Sequence, residues 1–442
     1  MKSLIAFVLA AVSLPAMLAA DSTYSVTYPP SKTPGELAIE SNYFLWVPDG
    51  VTTLRGIIVH QHGCGEGAET GGLTAHQDLH WQALARKWDC ALMGSRYLSA
   101  GANCRTWCDP RNGSNKTFLQ AIDSFAAESG HPELKQAPWC LWGHSGGGFW
   151  ASLMQTLHPQ RIVAIWLRSG TAFGSWQKGE IEKPTITPAI LAVPVMCNPG
   201  IKENEGRFIN AWEGTLAMFK YYRARGAPIG FAPDPRTAHE CGDSRYLAIP
   251  YFDACLAMRL PRGRKADPSL RPVDWSNHYL APLLGTRADP QVRFDGPRGV
   301  SVWLPGRSVA RAWEEYVQTG STRDMTAPQA PSHLQARRQP SGSLELSWTC
   351  QADLESGLQR FLILADGEQI ASHPQEPVNR FGRPLFQGMS YHDTPASPLA
   401  EMKLILPAGS VQPGSRLSVI AVNSSGLLSR PSRSVRADPG GE

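Results

Sequence analysis

From about residue 40 to residue 260 the chain alternates short, almost uninterrupted apolar runs with longer segments whose apolar positions recur at helical spacing. The runs are GIIVHQH (56–62), CALMGSR (90–96), CLWGHS (140–145), RIVAIWLRS (161–169), ILAVPVMCN (190–198) and PIGFAPD (228–234). Between them lie LTAHQDLHWQALARKW, NKTFLQAIDSFAAES, GGFWASLMQTLH and RFINAWEGTLAMFKYYRARG. A strand that is apolar at consecutive positions is covered on both faces. The alternation therefore predicts an α/β domain built on a mostly parallel sheet with helices on both sides. Upstream, LAIESNYFLWVP and VTTLRG suit antiparallel strands at one edge. Residues 258–318 read only as an extension of this domain.

The pattern changes near residue 320. TGSTRDMTAPQAPSH (319–333) is rich in Thr, Pro and Ala and has little periodicity, as expected of a linker. Beyond it, SLELSWTC, RFLILADGEQIA, MKLILPA and RLSVIAVNSSGLLSRPS are strand-sized runs divided by turns, which predicts a small all-β sandwich over 334–442. Trp348 in the early strand and SVIAVNSSGLLSRPS near the end give this part a resemblance to fibronectin type III domains. At the other end, MKSLIAFVLAAVSLPAMLAA has a lysine, an apolar run from Leu4 to Leu14 and small residues before Asp21. That is the pattern of a secretory signal peptide over 1–20. The expected mature protein is secreted or periplasmic, with the α/β domain over 21–318. No later stretch is apolar over the about 20 residues a bilayer span needs, so no membrane partner is expected.

Composition adds two constraints. The net charge is +4, and the densest basic patch, RGRK at 262–265, has no interleaved aromatics, which argues against a nucleic-acid partner. Nine cysteines in an exported chain predict disulfides. Cys104 and Cys108, in GANCRTWCDP, suit a local bridge, while pairings among Cys64, Cys90, Cys140, Cys197, Cys241 and Cys255 stay open. The odd count leaves at least one thiol unpaired, and Cys350, alone in the C-terminal part, is a candidate.

The chemistry sits at the strand ends. Gly143-His144-Ser145-Gly146-Gly147 fits G-x-S-x-G, with an apolar strand before it and a helix after it. A serine at such a corner takes backbone angles that few residues tolerate, and its hydroxyl stands at the carboxyl end of the sheet. His62-Gly63-Cys64-Gly65 directly follows GIIVHQ and is similar to the H-G-x-G turn of esterases and lipases. The loop GCGEGA (63–68) also fits a dinucleotide fingerprint, but that assignment leaves GHSGG unexplained and suits an exported chain poorly. His239, in HECGDSRYL, follows the last strand and precedes a helix. His76 and His80 stand four apart but lack the glutamate of H-E-x-x-H, and no carboxylate or thiolate completes a zinc set with His60 and His62.

On these motifs, residues 35–258 resemble the α/β-hydrolase superfamily, nearest to secreted esterases of the dienelactone-hydrolase and polyester-depolymerase kind. The resemblance implies hydrolysis without a cofactor or a metal, through an acyl-enzyme, with Ser145 as nucleophile and His239 as base. The oxyanion would be held by the backbone N–H groups of Gly146 and Cys64. The acid belongs in the loop after ILAVPVMCN. Gly200-Ile-Lys-Glu203 fits the G-x-x-D spacing of related hydrolases with glutamate for aspartate, which leaves Glu205 as the alternative acid and Asp234 as a further one. Trp107, Trp150 and Trp176, with His144, are the candidate substrate contacts, as walls for an aryl acyl group or a sugar. The expected substrate is a carboxylic ester, on a polysaccharide side chain or in a polyester. A serine peptidase of the same fold and an inactive binding protein are the alternatives. No candidate catalytic residue lies beyond the linker, so the sandwich is expected to space or attach.

Overall fold

The computed structural model describes residues 22–99, 103–263 and 268–437, so the signal peptide expected over 1–20 lies outside the described residues. Strands β1 (Ser22–Tyr28), β2 (Glu40–Val47), β3 (Gly56–Gln61), β4 (Cys90–Leu98), β5 (Trp139–His144), β6 (Ile162–Arg168), β7 (Val195–Asn198) and β8 (Ile229–Phe231) form one sheet in the order β1-β2-β4-β3-β5-β6-β7-β8. The pairings β1–β2 and β2–β4 are antiparallel, and all pairings from β4 to β8 are parallel. Every residue of β3, β5, β6 and β7 is buried, as an apolar run covered from both sides requires. The cover comes from α1 (Leu79–Lys87), α2 (Ser114–Glu128), α3 (Gly146–Leu157), α4 (Ile209–Arg223) and α5 (Arg245–Arg259). This is the α/β-hydrolase fold.

At the edge the structure departs from the sequence expectation. VTTLRG is not a strand of its own: residues 51–55 are a loop fastened by Leu54 N–H to Glu133 Oε1 at 2.7 Å and Arg55 N–H to the Asp89 carbonyl at 2.8 Å, and Gly56 opens β3. The outermost strand is instead STYSVTY, whose residues alternate between half-buried and exposed.

The extension after α5 contributes β9 (Tyr279–Ala281), β10 (Asp289–Pro290) and β11 (Val302–Leu304), a small antiparallel sheet, and then α6 (Arg307–Thr319). Helix α6 braces the ends of β7 and β8. Trp313 Nε1–H donates to the Phe231 carbonyl at 2.9 Å, and Asn198 Nδ2–H donates to Tyr316 Oη at 3.2 Å.

The C-terminal part contains β12 (Ser332–Arg338), β13 (Leu344–Thr349), β14 (Arg360–Ala365), β15 (Glu368–His373), β16 (Lys403–Leu406), β17 (Arg416–Val422) and β18 (Val435–Arg436). They form two antiparallel sheets, β12-β13-β16 and β15-β14-β17-β18, over a core that includes Leu346, Trp348, Phe361, Ile363 and Val419. The long β15–β16 connection runs back to the α/β domain. Arg245, 1% exposed, lies between Asp78 Oδ2 at 2.7 Å and Asp393 Oδ1 at 2.8 Å, and Gln387 bonds Leu79 N at 3.0 Å and the Gln77 carbonyl at 2.9 Å. Buried charges persist only when paired in this way.

Candidate active site

Ser145 occupies the corner between β5 and α3 with φ 53° and ψ −116°. A positive φ costs a non-glycine residue on the order of 1–3 kcal/mol and persists only when its surroundings over-determine it. Here Ser145 N–H donates to the Arg168 carbonyl at 2.8 Å, and Phe149 N–H donates to the Ser145 carbonyl at 3.0 Å. The hydroxyl oxygen lies 2.9 Å from His239 Nε2. On the other side of that ring, Nδ1 makes a short hydrogen bond to Glu203 Oε1. Glu203 is fully buried, and its Oε2 accepts from Ser169 Oγ at 2.9 Å and Gly200 N–H at 3.0 Å. Ser145, His239 and Glu203 thus form one continuous chain of hydrogen bonds.

The histidine loop is gripped from below by the ends of two strands. Arg168, the last residue of β6, donates from Nη2 to Thr237 Oγ1 at 2.7 Å, to the Ala238 carbonyl at 3.1 Å and to the Glu240 carbonyl, and from Nη1 to the Asn198 carbonyl at 3.0 Å. Burial alone would lower its pKa, but Tyr316, Asp234 and Glu203 outweigh burial and raise it. His144, the last residue of β5, donates from Nε2 to the His239 carbonyl at 2.7 Å. Burial, and then His239 and His392, hold its pKa well below the ordinary histidine value. Phe208 stacks flat on the His239 ring, centroids 3.9 Å apart.

Glu205 is exposed and takes no part in this chain, so the alternative acid is corrected: of the two glutamates only Glu203 turns inward. Asp234 is buried but spent elsewhere, accepting from Tyr316 Oη–H at 3.0 Å and Arg236 N–H at 2.9 Å. Its backbone pairs with Gly200 in a bridge that ties the acid loop to the histidine loop. A side chain at Gly200 would overlap the Ala238 carbonyl, so these loops pack only with glycine there.

Gly146 supplies the first N–H of α3, which has no carbonyl within the helix to bond. A Cβ built on it would fall 3.4 Å from Cys64 N and would collide with the sulfurs of Cys64 and Cys104. The two expected oxyanion donors are therefore neighbours. Cys64 and Cys104 are joined by a disulfide, which corrects the local Cys104–Cys108 bridge. Cys108 points into the core, 3% exposed, while Cys104 faces the turn after β3. Cys90, Cys140, Cys197, Cys241 and Cys255 are buried free thiols, and Cys350 is free and partly buried.

The expected aromatic walls are also corrected. Trp107, Trp150 and Trp176 are at most 2% exposed. Trp107 stacks on Tyr97 at 4.8 Å, Trp150 meets Phe118 edge-on at 5.2 Å, and Trp176 meets Phe173 at 5.1 Å, so all three are core. His144 is fully buried beneath the histidine loop and faces no substrate. The half-buried rings beside His239 and His144 are instead Phe208 and Tyr391.

Arg168, Phe208, Tyr391 and His392 are not among the residues that the motifs single out. A signal existed for Arg168, since an arginine closing an apolar, wholly buried strand must find buried acceptors. Phe208 and the two loop residues carry no such local mark. Asp324, Asp353 and Glu355, the one group among the described residues placed to ligate a metal, lies at the junction with the sandwich and shares no residue with this site.

No family model matches the chain, and no curated protein matches it. Solved structures are similar to it. Poly(aspartic acid) hydrolase-1 from Sphingomonas sp. KT-1 is 17% identical, with a TM-score of 0.36 over 49% of this chain and 93% of its own. Dienelactone hydrolase from Anabaena variabilis ATCC 29413 is 14% identical, with a TM-score of 0.32 over 50% and 89%. S-formylglutathione hydrolase from Agrobacterium tumefaciens is 11% identical, with a TM-score of 0.33 over 50% and 89%. These neighbours are hydrolases, and at such identities and TM-scores the likeness decides nothing about this chain.

Proposed function

We propose that the protein is a secreted serine esterase that hydrolyses carboxylic esters of a polymer, a polysaccharide ester or a polyester, through an acyl-enzyme. The observation that carries this reading is the chain Ser145–His239–Glu203 behind a serine held at φ 53°. His239 takes the Ser145 proton as the hydroxyl oxygen attacks the ester carbonyl, then gives it to the leaving alcohol. Glu203 fixes the tautomer with Nδ1 protonated and stabilises the imidazolium. The oxyanion forms against the N–H groups of Gly146 and Cys64, donors of a kind worth about 10²–10³ in rate apiece. Water, activated by the same histidine, then releases the acid.

In this reading residues 21–318 are the catalytic domain, 319–333 the connection and 334–442 a fibronectin type III-like module. The three-on-four arrangement of antiparallel strands supports the last. The composition of residues 1–20 supports export. Phe208, half-buried and stacked on His239, supplies aromatic surface beside the reacting groups.

The test is a hydrolysis panel of short p-nitrophenyl esters, feruloyl and acetyl sugar esters, an aromatic polyester and a dipeptide amide, with Ser145→Ala as the blank. Ester turnover that vanishes in the variant is expected. Cleavage of the amide alone would make the protein a peptidase, and no turnover of any member would leave a binding protein.

A further inference from the structure

The β15–β16 connection brings Ser390–Thr394 of the C-terminal part against the floor of the catalytic loop. His392 Nδ1 lies 3.2 Å from His144 Nδ1, and the Tyr391 carbonyl accepts from Cys241 N–H at 3.1 Å, two residues after His239. The next residue, Asp393, is the buried partner of Arg245. A Cβ at Gly67 would fall 2.6 Å from the His392 ring, so the ring is seated directly on the backbone after β3.

The proton inventory of this relay has one solution. The His239 carbonyl can only accept, so His144 must carry its proton on Nε2. A neutral His144 then offers a bare Nδ1, and the hydrogen bond to it needs a proton on His392 Nδ1. Burial keeps both rings neutral: the His144 pKa is pushed well down, and that of His392 falls to about 4, with His239 adding to the effect.

We propose that His392 is a positioning residue for His239, acting through His144, so that the C-terminal part completes the catalytic unit. The proposal rests on the esterase reading above. His392 orients the His144 ring, His144 fixes the His239 carbonyl, and that anchor sets the height of His239 Nε2 over Ser145. A shift on the order of 1 Å in such a group costs about 10²-fold in rate, so a loosened anchor registers in kcat before it registers in binding.

The experiment compares His392→Asn and His392→Leu in the full-length protein on p-nitrophenyl acetate. The amide nitrogen of asparagine can stand where Nδ1 stands, whereas leucine fills the space and donates nothing. His392→Leu should lower kcat about 10-fold or more with KM nearly unchanged, and His392→Asn should return it to within about 3-fold of the parent. A folded His392→Leu enzyme with parental kcat, or equal losses in both variants, would overturn the proposal. If the leucine variant does not fold, histidine ¹⁵N spectra of the parent protein decide. The proposal requires His144 protonated on Nε2 and His392 on Nδ1, and any other tautomer at either ring refutes it. Ser145→Ala in the same assay separates the two ideas. A dead Ser145→Ala beside a fully active His392→Leu refutes positioning alone, while an active Ser145→Ala refutes the esterase reading.

Discussion

Glu203 and Glu205 stand two residues apart in one loop, yet one is fully buried against His239 and the other faces solvent. Replacement by glutamine keeps the shape and removes the charge. Glu203→Gln should lower kcat roughly 10³-fold or more, because the imidazolium loses its counter-charge and the histidine tautomer is no longer fixed. Glu205→Gln should stay near the parent. Steady-state kinetics on one soluble ester check both, and parental turnover in Glu203→Gln would remove it from the acid position. The sequence singles out Ser145 and His239, which the structure brings together, because their signals are local: a glycine-flanked corner between strand and helix, and a histidine in the loop after the last strand. For the proposed acid the sequence offers only a choice, since spacing does not say which way a loop side chain turns. The tryptophans misled for a related reason. A large ring just after a strand can enter the core as readily as the site, and Trp107, Trp150 and Trp176 all entered the core.

At the scale of elements, the turn after β3 and the corner before α3 meet at one point, where the Cys64–Cys104 disulfide abuts Gly146. The bridge fixes the turn that presents Cys64 N–H. Cys104→Ser should therefore lower kcat about 10-fold while KM changes little, a part of the 10²–10³ that a whole oxyanion donor supplies. Treatment of the parent enzyme with a thiol reductant should reproduce the loss. A fully active, reduced enzyme would show that the turn needs no tether. The strand–helix alternation was legible because burial on both faces writes itself as consecutive apolar residues. β1 was not, since its alternation of half-buried and exposed positions is short and lies next to the leader-like segment. The disulfide was not legible either, because it joins residues 40 apart whose proximity comes from the sheet order.

For the whole molecule, the change of pattern at 319–333 marks a division in the sequence without showing what crosses it. The sequence places no catalytic candidate beyond the linker, which suggests a detachable module. The structure instead sets His392 against His144 and Tyr391 against the loop that carries His239, and buries Arg245 between Asp78 and Asp393. A chain ended near residue 325 loses these contacts and uncovers Leu79, which packs on the sandwich core. Its turnover of soluble esters should fall about 10-fold or more and its melting temperature should drop by several degrees. Unchanged kinetics in the shortened chain would return the sandwich to a role in attachment. All of this depends on Ser145 being the nucleophile, and the most direct measurement of that is covalent. The full-length protein is treated with a fluorophosphonate, and the adduct is located by peptide mass spectrometry. The account predicts one adduct per chain, on Ser145, forming in step with the loss of ester hydrolysis and far more slowly in His239→Ala. An adduct on another residue, or hydrolysis that continues after Ser145 is fully labelled, would contradict it.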